Sequence, residues 1–401
     1  KMSATAARAS SHPALDAAID ILADLVAFPS VSLQPNGDIV RYIEEVMQRN
    51  GLRCLRNAHE DGLRFNLLGS AGPPGPGGIL LSGHMDVVAA SPDGWTGDPF
   101  RLRRDGGRLY GRGAVDMKGF IAIVLASLPA IMARADDLSM PFHLALTFDE
   151  ETGFFGAAQI PDFFAKLDLH PDIAIIGEPT AMQPFVGHKG CMELTSIITG
   201  TSGHAAKPAG KVNAVYFAAQ LVDAIRHHAE ALANAPLPGS PFDPPHSSMS
   251  VGVMRGGEAR NIIPDTCRID WEIRAHPGDD PHRHLAHINA IINEQLVPQM
   301  QAIDPQAGIE TRMLCDAPPL EARPDGVAAN LVARLWTNQT PQMVSFGTDG
   351  PFFQQAGMDT VIFGPGSMAQ MHQPDEFITE AALVEGLQFI DRLAAHMCGE
   401  G

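Results

Sequence analysis

Apolar residues recur along this chain in two rhythms. Residues 14–27 and 38–50 carry them at helical spacing. A turn-rich stretch, SAGPPGPGG, leads into GILLSGHMDVV, a short apolar run that ends in polar residues. Such a run reads as a strand buried inside an α/β sheet. The pattern returns four times: FHLALTF runs into DEETG, DIAIIG into EPT, QMVSFG into TDG, and DTVIFG into PGS. Helical stretches such as 118–132 and 326–336 lie between these runs. Strands alternating with helices predict a doubly wound, mostly parallel sheet covered on both faces. Ligands of such sheets bind beyond the C-terminal strand ends, so the polar residues after the five runs are expected on one rim.

Between about 188 and 316 the rhythm changes. The order there is strand (191–199), helix (212–229), strand (248–256), strand (266–275), helix (281–296), strand (308–315). That β-α-β-β-α-β order matches the split, ferredoxin-like unit. The expected organisation is therefore an α/β domain in two pieces, 1–187 and 317–401, with an α+β domain, 188–316, inserted. The segment PLPGSPFDPP, 236–245, reads as a loop within the insert.

Composition narrows the classes of function. The chain has 401 residues, enough for two domains. Its net charge of −18, from 28 basic and 46 acidic residues, argues against nucleic acid and against an anionic membrane surface. The same acidity suits bound cations. Cys54, Cys191, Cys267, Cys315 and Cys398 are scattered without zinc-finger or CxxC spacing, which reads as free thiols in a reducing compartment. The apolar run Phe120–Met132 is too short for a bilayer, contains Pro129, and reads as a buried helix. The first 26 residues show no basic stretch followed by an apolar core and cleavage site. A cytoplasmic protein is the expectation.

The polar strand ends supply the candidate chemistry. His84 and Asp86 stand two residues apart, so a carboxylate can fix the tautomer of a ligating histidine. Asp116 lies in GRGAVDMKG ahead of a helix; Glu150 and Glu151 follow one strand and Glu178 another; His372 follows the last. Each alone is more often a helix cap, a solvated turn, or a surface or core histidine. Together, two histidines and several carboxylates on one rim suit a borderline cation such as zinc. Three carboxylate ligands leave a pair of dications with residual positive charge, which favours a nucleophile generated near neutral pH. Of the adjacent Glu150 and Glu151, one can ligate while the other serves as general base.

SGHMDVV, GRGAVDMKG, DEETG, GEPT, SGHAAKP and GPGSMAQMHQPDE, in this order, resemble the acetylornithine deacetylase, succinyl-diaminopimelate desuccinylase and aminoacylase family of di-zinc hydrolases. The resemblance runs from about residue 20 to the C-terminus. It implies a catalytic α/β domain and an inserted lid through which a homodimer forms. It also implies two divalent metal ions, zinc first, with cobalt or manganese fitting the same ligands. His84, Asp116 and Glu178 would hold one ion; Asp116, Glu151 and His372 the other. Asp86 would orient His84, Glu150 would be the general base, and His204 would steady the oxyanion in the partner subunit's site. Arg274 and Asn261 resemble positions that grip the substrate carboxylate. For Arg274 a surface ion pair is an equal alternative. Gly347, Thr348, Gly364 and Gly366 resemble rim loops, and Lys189 lies near the lid hinge. The implied reaction is hydrolysis of the amide of an N-acyl amino acid, N-acetyl-L-ornithine first. Alternatives are desuccinylation of N-succinyl-diaminopimelate, deacylation of another N-acyl amino acid, or a catalytically inactive binding relative. Ala209–Gly210–Lys211 stand where an arginine is expected before Gly-Val-Asn, which leaves preference for the ornithine side chain open.

Overall fold

The computed structural model describes residues 11–91, 93–344 and 346–400; the first ten residues, part of the stretch read for a leader, lie outside them. Four of the apolar runs form the centre of one sheet. Phe142–Thr147, Ile79–His84, Ile173–Ile176 and Asp359–Ile362 lie side by side and parallel. Ile79–His84 and Phe142–Thr147 are buried at every position. Side chains alternate between faces along a strand, so burial throughout means cover on both faces. Antiparallel strands extend the sheet: Phe65–Ala71 pairs with Phe142–Thr147, and Arg53–Ala58 pairs with Phe65–Ala71. QMVSFG is strand only over Gln342–Val344, and Ser345 lies outside the described residues.

The helices follow the predicted periodicity. Leu15–Ala27 buries Leu15, Ala18, Ile19, Leu22, Leu25 and Val26, a single stripe at helical spacing. Gly119–Met132 is buried on nearly all sides, and packs against Leu15–Ala27 and against Glu380–Met397. Long and apolar enough to cross a membrane, the stretch Ala114–Met132 is instead core, most of it buried within its unit. Thr379 caps the last helix, its Oγ1 accepting from the Ala382 amide at 3.1 Å.

The chain divides into two compact units. The first comprises Lys1–Gly187, Arg323–Gln342 and Thr348–Gly401; the second comprises His188–Ala322 and Met343–Gly347. The second unit contains Cys191–Thr199, Ser248–Gly256, Thr266–Arg274 and Gly308–Ala317 as one antiparallel sheet, ordered second, third, first, fourth. This is the strand order of the split β-α-β unit. Leu194, Ile198, Ile269, Trp271 and Ile273 from the sheet meet Leu221, Ile225 and Ile288 from helices Ala214–Ala233 and Pro281–Ile291 in its core. Helix starts follow caps: Asn213 Oδ1 accepts from the Val215 and Tyr216 amides, and Asp280 Oδ1 from the His282 amide. The first helix therefore begins at 214 rather than the expected 212. The second continues past Ile291 through a wider turn, Ile292–Leu296, to Gln301.

Candidate metal centre

His84 is the last residue of its strand, fully within the core. Its Nε2 lies 3.0 Å from Asp116 Oδ1 and 3.7 Å from Glu178 Oε1. Asp116 turns its other oxygen, Oδ2, toward His372 Nε2 at 3.1 Å, and that nitrogen is 2.8 Å from Glu151 Oε2. Two three-residue clusters thus share one carboxylate: His84, Asp116 and Glu178, and Asp116, Glu151 and His372. All five belong to the first unit.

Local anchoring explains how loops hold these groups. Glu376 is buried and accepts from the Val115 and Asp116 amides at 3.0 and 3.2 Å. Arg112 neutralises it at 2.6 Å and lies over the Trp95 ring. Asp86 performs the same task for the acidic turn. Its carboxylate accepts from the Glu150 amide at 3.1 Å, the Glu151 amide at 3.2 Å and Ser32 Oγ at 2.7 Å. His84 Nδ1 donates to the Asp86 carbonyl at 2.9 Å, while the Asp86 carboxylate is 3.6 Å away. That backbone bond fixes the tautomer that leaves Nε2 directed at the acids. His372 sits after the short turn Met368–Gln370 with φ of 60°, half-exposed on the outer side of the cluster.

The charge is unbalanced toward the negative. Burial pushes Glu150 and Glu178 well above the usual carboxylate range, and neighbouring carboxylates add to it. Burial and the charge of Asp116 raise Glu151 to about 7. Burial alone would raise Asp116 as well, but the hydrogen bonds of His372 and His84 hold it low. Glu178 Oε1 and Asp349 Oδ1 are buried without a hydrogen-bond partner. The Glu178 oxygen, stranded beside His84 within the cluster, fits a divalent cation, which would satisfy it together with the excess charge.

Glu150 is buried within the same group, its Oε2 4.0 Å from His84 Nε2. Thr348 is buried in the first unit, and its Oγ1 accepts from the Gly350 amide at 3.1 Å. Gly364 donates to Thr180 Oγ1 at 3.1 Å, and Gly366 has φ of 90°. The remaining expected site residues, Lys189, His204, Asn261, Arg274 and Gly347, belong to the second unit. Lys189 Nζ donates to the carbonyls of Pro244 and His246 at 2.7 and 2.9 Å, tying down the proline-rich loop. Arg274 pairs with Glu272 at 2.7 Å. His204 is exposed, its Nδ1 accepting from the Ala206 amide at 3.1 Å, and the Asn261 carbonyl accepts from the Ala205 amide at 3.0 Å.

Sequence reasoning missed two groups and one role. Glu376 stands inside the MHQPDE motif and Asp349 inside TDG, yet spacing did not mark either. Asp349 is buried, accepts from Thr147 Oγ1, and burial raises it to about 7. The grip of Asp86 on the acidic turn joins residues 64 and 65 positions apart, which no local pattern signals.

A buried parallel sheet carrying two ligand clusters on a shared aspartate is the framework of a metallohydrolase. The chain matches the model of peptidase family M20/M25/M40 over residues 80–396 and belongs to that family. It is 34% identical over 394 residues to an acetylornithine deacetylase of Yersinia pseudotuberculosis, covering 95% of this chain and 97% of that protein. A metallo-carboxypeptidase of the M20 family from Sulfolobus solfataricus shares the fold, with a TM-score of 0.73, 15% identity, and 97% and 100% of the two chains covered. So does a dinuclear metal-binding M20 peptidase from Bacillus subtilis, with a TM-score of 0.60, 16% identity, and 97% and 99% covered.

Proposed function

We propose that the chain hydrolyses the amide of a small N-acyl amino acid, with N-acetyl-L-ornithine as first substrate. The carrying observation is the pair of clusters sharing Asp116, with the buried Glu150 carboxylate beside them. Similarity along nearly the whole chain to an acetylornithine deacetylase supports the substrate. His84, Asp116 and Glu178 would hold one divalent cation, and Asp116, Glu151 and His372 a second; zinc suits this donor set. Such ions, when bound, acidify water and polarise an acyl carbonyl.

The chain's own residues do the rest. Glu150 takes the proton of the attacking water and returns it to the departing amine nitrogen, so one carboxylate serves as base and then acid. Asp86 holds the backbone of Glu150 and Glu151, and so sets the position of that proton transfer. In this reading Arg274 and Asn261 grip the substrate carboxylate, with Gly347, Thr348 and Lys189 around it. His204 donates a hydrogen bond to the oxygen that gains charge in the transition state. The second unit acts as a lid and carries the contacts of a homodimer. Acetate and L-ornithine are the products, which would place the protein in arginine biosynthesis, in the cytoplasm.

The test is kcat/KM of the zinc-loaded protein on N-acetyl-L-ornithine, N-succinyl-diaminopimelate and neutral N-acetyl amino acids, beside a chelated control. A chelator-sensitive preference for acetylornithine is expected. Preference for another N-acyl amino acid would retain the machinery, reject the substrate, and direct attention to Ala209–Lys211. Absence of turnover on all of them, with metal bound, would reject the reading as a whole.

A further inference from the structure

The second unit gathers imidazoles far from any role described above. Helices Ala214–Ala233 and Pro281–Ile291 form a groove lined in part by His227, His228 and His287. His228 Nε2 lies 3.1 Å from His284 Nδ1. The His287 ring stacks on His228, centroids 4.4 Å apart and planes 26° from parallel. His284 is buried, and its Nε2 donates to Asp279 Oδ2 at 2.8 Å. That carboxylate also accepts from Ser247 Oγ.

These contacts settle which nitrogen carries the proton. Asp279 keeps it on His284 Nε2, so the Nδ1 lone pair points at His228. A carboxylate holding the far nitrogen of an imidazole is the arrangement that orients histidine ligands in metal sites. The spacing fits as well. Two nitrogens bound to one tetrahedral zinc, each about 2.0–2.1 Å away, stand about 3.3 Å apart. The observed 3.1 Å needs little movement, and His228 needs only to carry its proton on Nδ1. His227 is not counted, because Asp223 and Arg226 already engage it. His287 is exposed with its ring stacked on His228, so the two nitrogens of His228 and His284 are the ones that meet.

We propose that this groove binds one divalent cation with imidazole preference, such as zinc, nickel or copper. His228 Nε2 and His284 Nδ1 are the converging donors, Asp279 orients His284, and water from the open groove completes the coordination. The ion joins the two helices of the second unit and is separate from the acidic clusters of the first.

Zinc alone is the probe. Protein carrying its full metal complement is dialysed to equilibrium against micromolar zinc, and bound zinc per chain is measured by elemental analysis. Wild type is expected to hold one equivalent more than His228→Gln and His284→Gln. Because His284 is buried and its variant risks misfolding, the partly exposed His228 provides the decisive comparison. Crystals of the zinc-soaked protein should show an anomalous peak between the two rings. Equal zinc in wild type and folded His228→Gln, or no such peak, overturns the proposal. The difference between variants cancels whatever the first unit binds, so this result and the substrate test stand or fall separately.

Discussion

Glu150 and Glu151 are neighbours in sequence with different surroundings. Glu151 reaches His372 at 2.8 Å, whereas Glu150 faces His84 from 4.0 Å. Removing Glu150 should therefore spare the clusters. Glu150→Ala is expected to keep its metal content and unfolding midpoint while kcat falls by about 10³-fold. Turnover near that of wild type would remove Glu150 from the mechanism. A second residue-scale expectation concerns His143, whose Nδ1 meets Ser70 Oγ at 2.8 Å and whose Nε2 is buried without a partner. Burial, helped by the charge of Arg53, lowers its pKa to about 4. Above the unfolded value of 6.5 both states are neutral, and the group has no effect on stability. Between 6.5 and about 4 the unfolded chain binds a proton that the folded chain refuses, so stability falls as pH falls. One pKa unit corresponds to about 1.4 kcal/mol, so the full loss is on the order of 3 kcal/mol. Urea unfolding at pH 7 and pH 4.5 should show a shallower loss for His143→Gln; an unchanged loss would exclude this histidine as a source of acid sensitivity.

Strands deliver the ligands, and the turns beyond them set their aim. Gly177 joins Ile173–Ile176 to Glu178, and a Cβ there would lie 2.1 Å from the ring of Phe120. Phe120 is itself buried in the interior helix Gly119–Met132, so the strand end has to yield. Gly177→Ala is expected to lower stability by about 1–3 kcal/mol, the usual cost of overpacking. It should also weaken metal binding through displacement of Glu178. Thermal unfolding and zinc titration check both; unaltered zinc affinity would mean that Glu178 is placed independently of this contact. The turn at Glu150–Glu151 and the loop at Asp116 are held instead by carboxylates accepting amides, Asp86 and Glu376 respectively. Such bonds recruit residues distant in sequence, which is why periodicity located the elements and overlooked their anchors.

At the scale of the whole molecule the question is whether the two units cooperate across subunits. If His204 serves the partner's site, two inactive variants should complement. Mixing His204→Ala with Glu150→Ala subunits gives hybrid dimers that hold one site with both residues intact. Up to about half of the wild-type activity per hybrid dimer is expected if each site works alone. No recovery, with hybrids verified by mass spectrometry, would sink the cross-subunit role. A chain of net charge −18 gathers part of its acidity in one buried rim, where cations rather than solvent have to balance it.

The sequence by itself determined four of the five expected strands as the parallel centre and the split β-α-β unit, and its motifs, through their resemblance to a known family, the class of chemistry. Apolar runs of strand length ending in acids and histidines are local patterns, and such a run has to be buried whichever elements come to cover it. It also named His84, Asp116, Glu150, Glu151, Glu178 and His372, because each follows a strand or opens a helix. Tertiary structure alone decided which oxygen of Asp116 faces which histidine, and that Asp86 holds an acidic turn more than 60 residues away. It also gave Lys189 a pair of loop carbonyls, and faced His228 with His284 across two helices. These are contacts between side chains and distant backbone. Their geometry is fixed by how elements pack, and packing leaves no periodic trace along the chain.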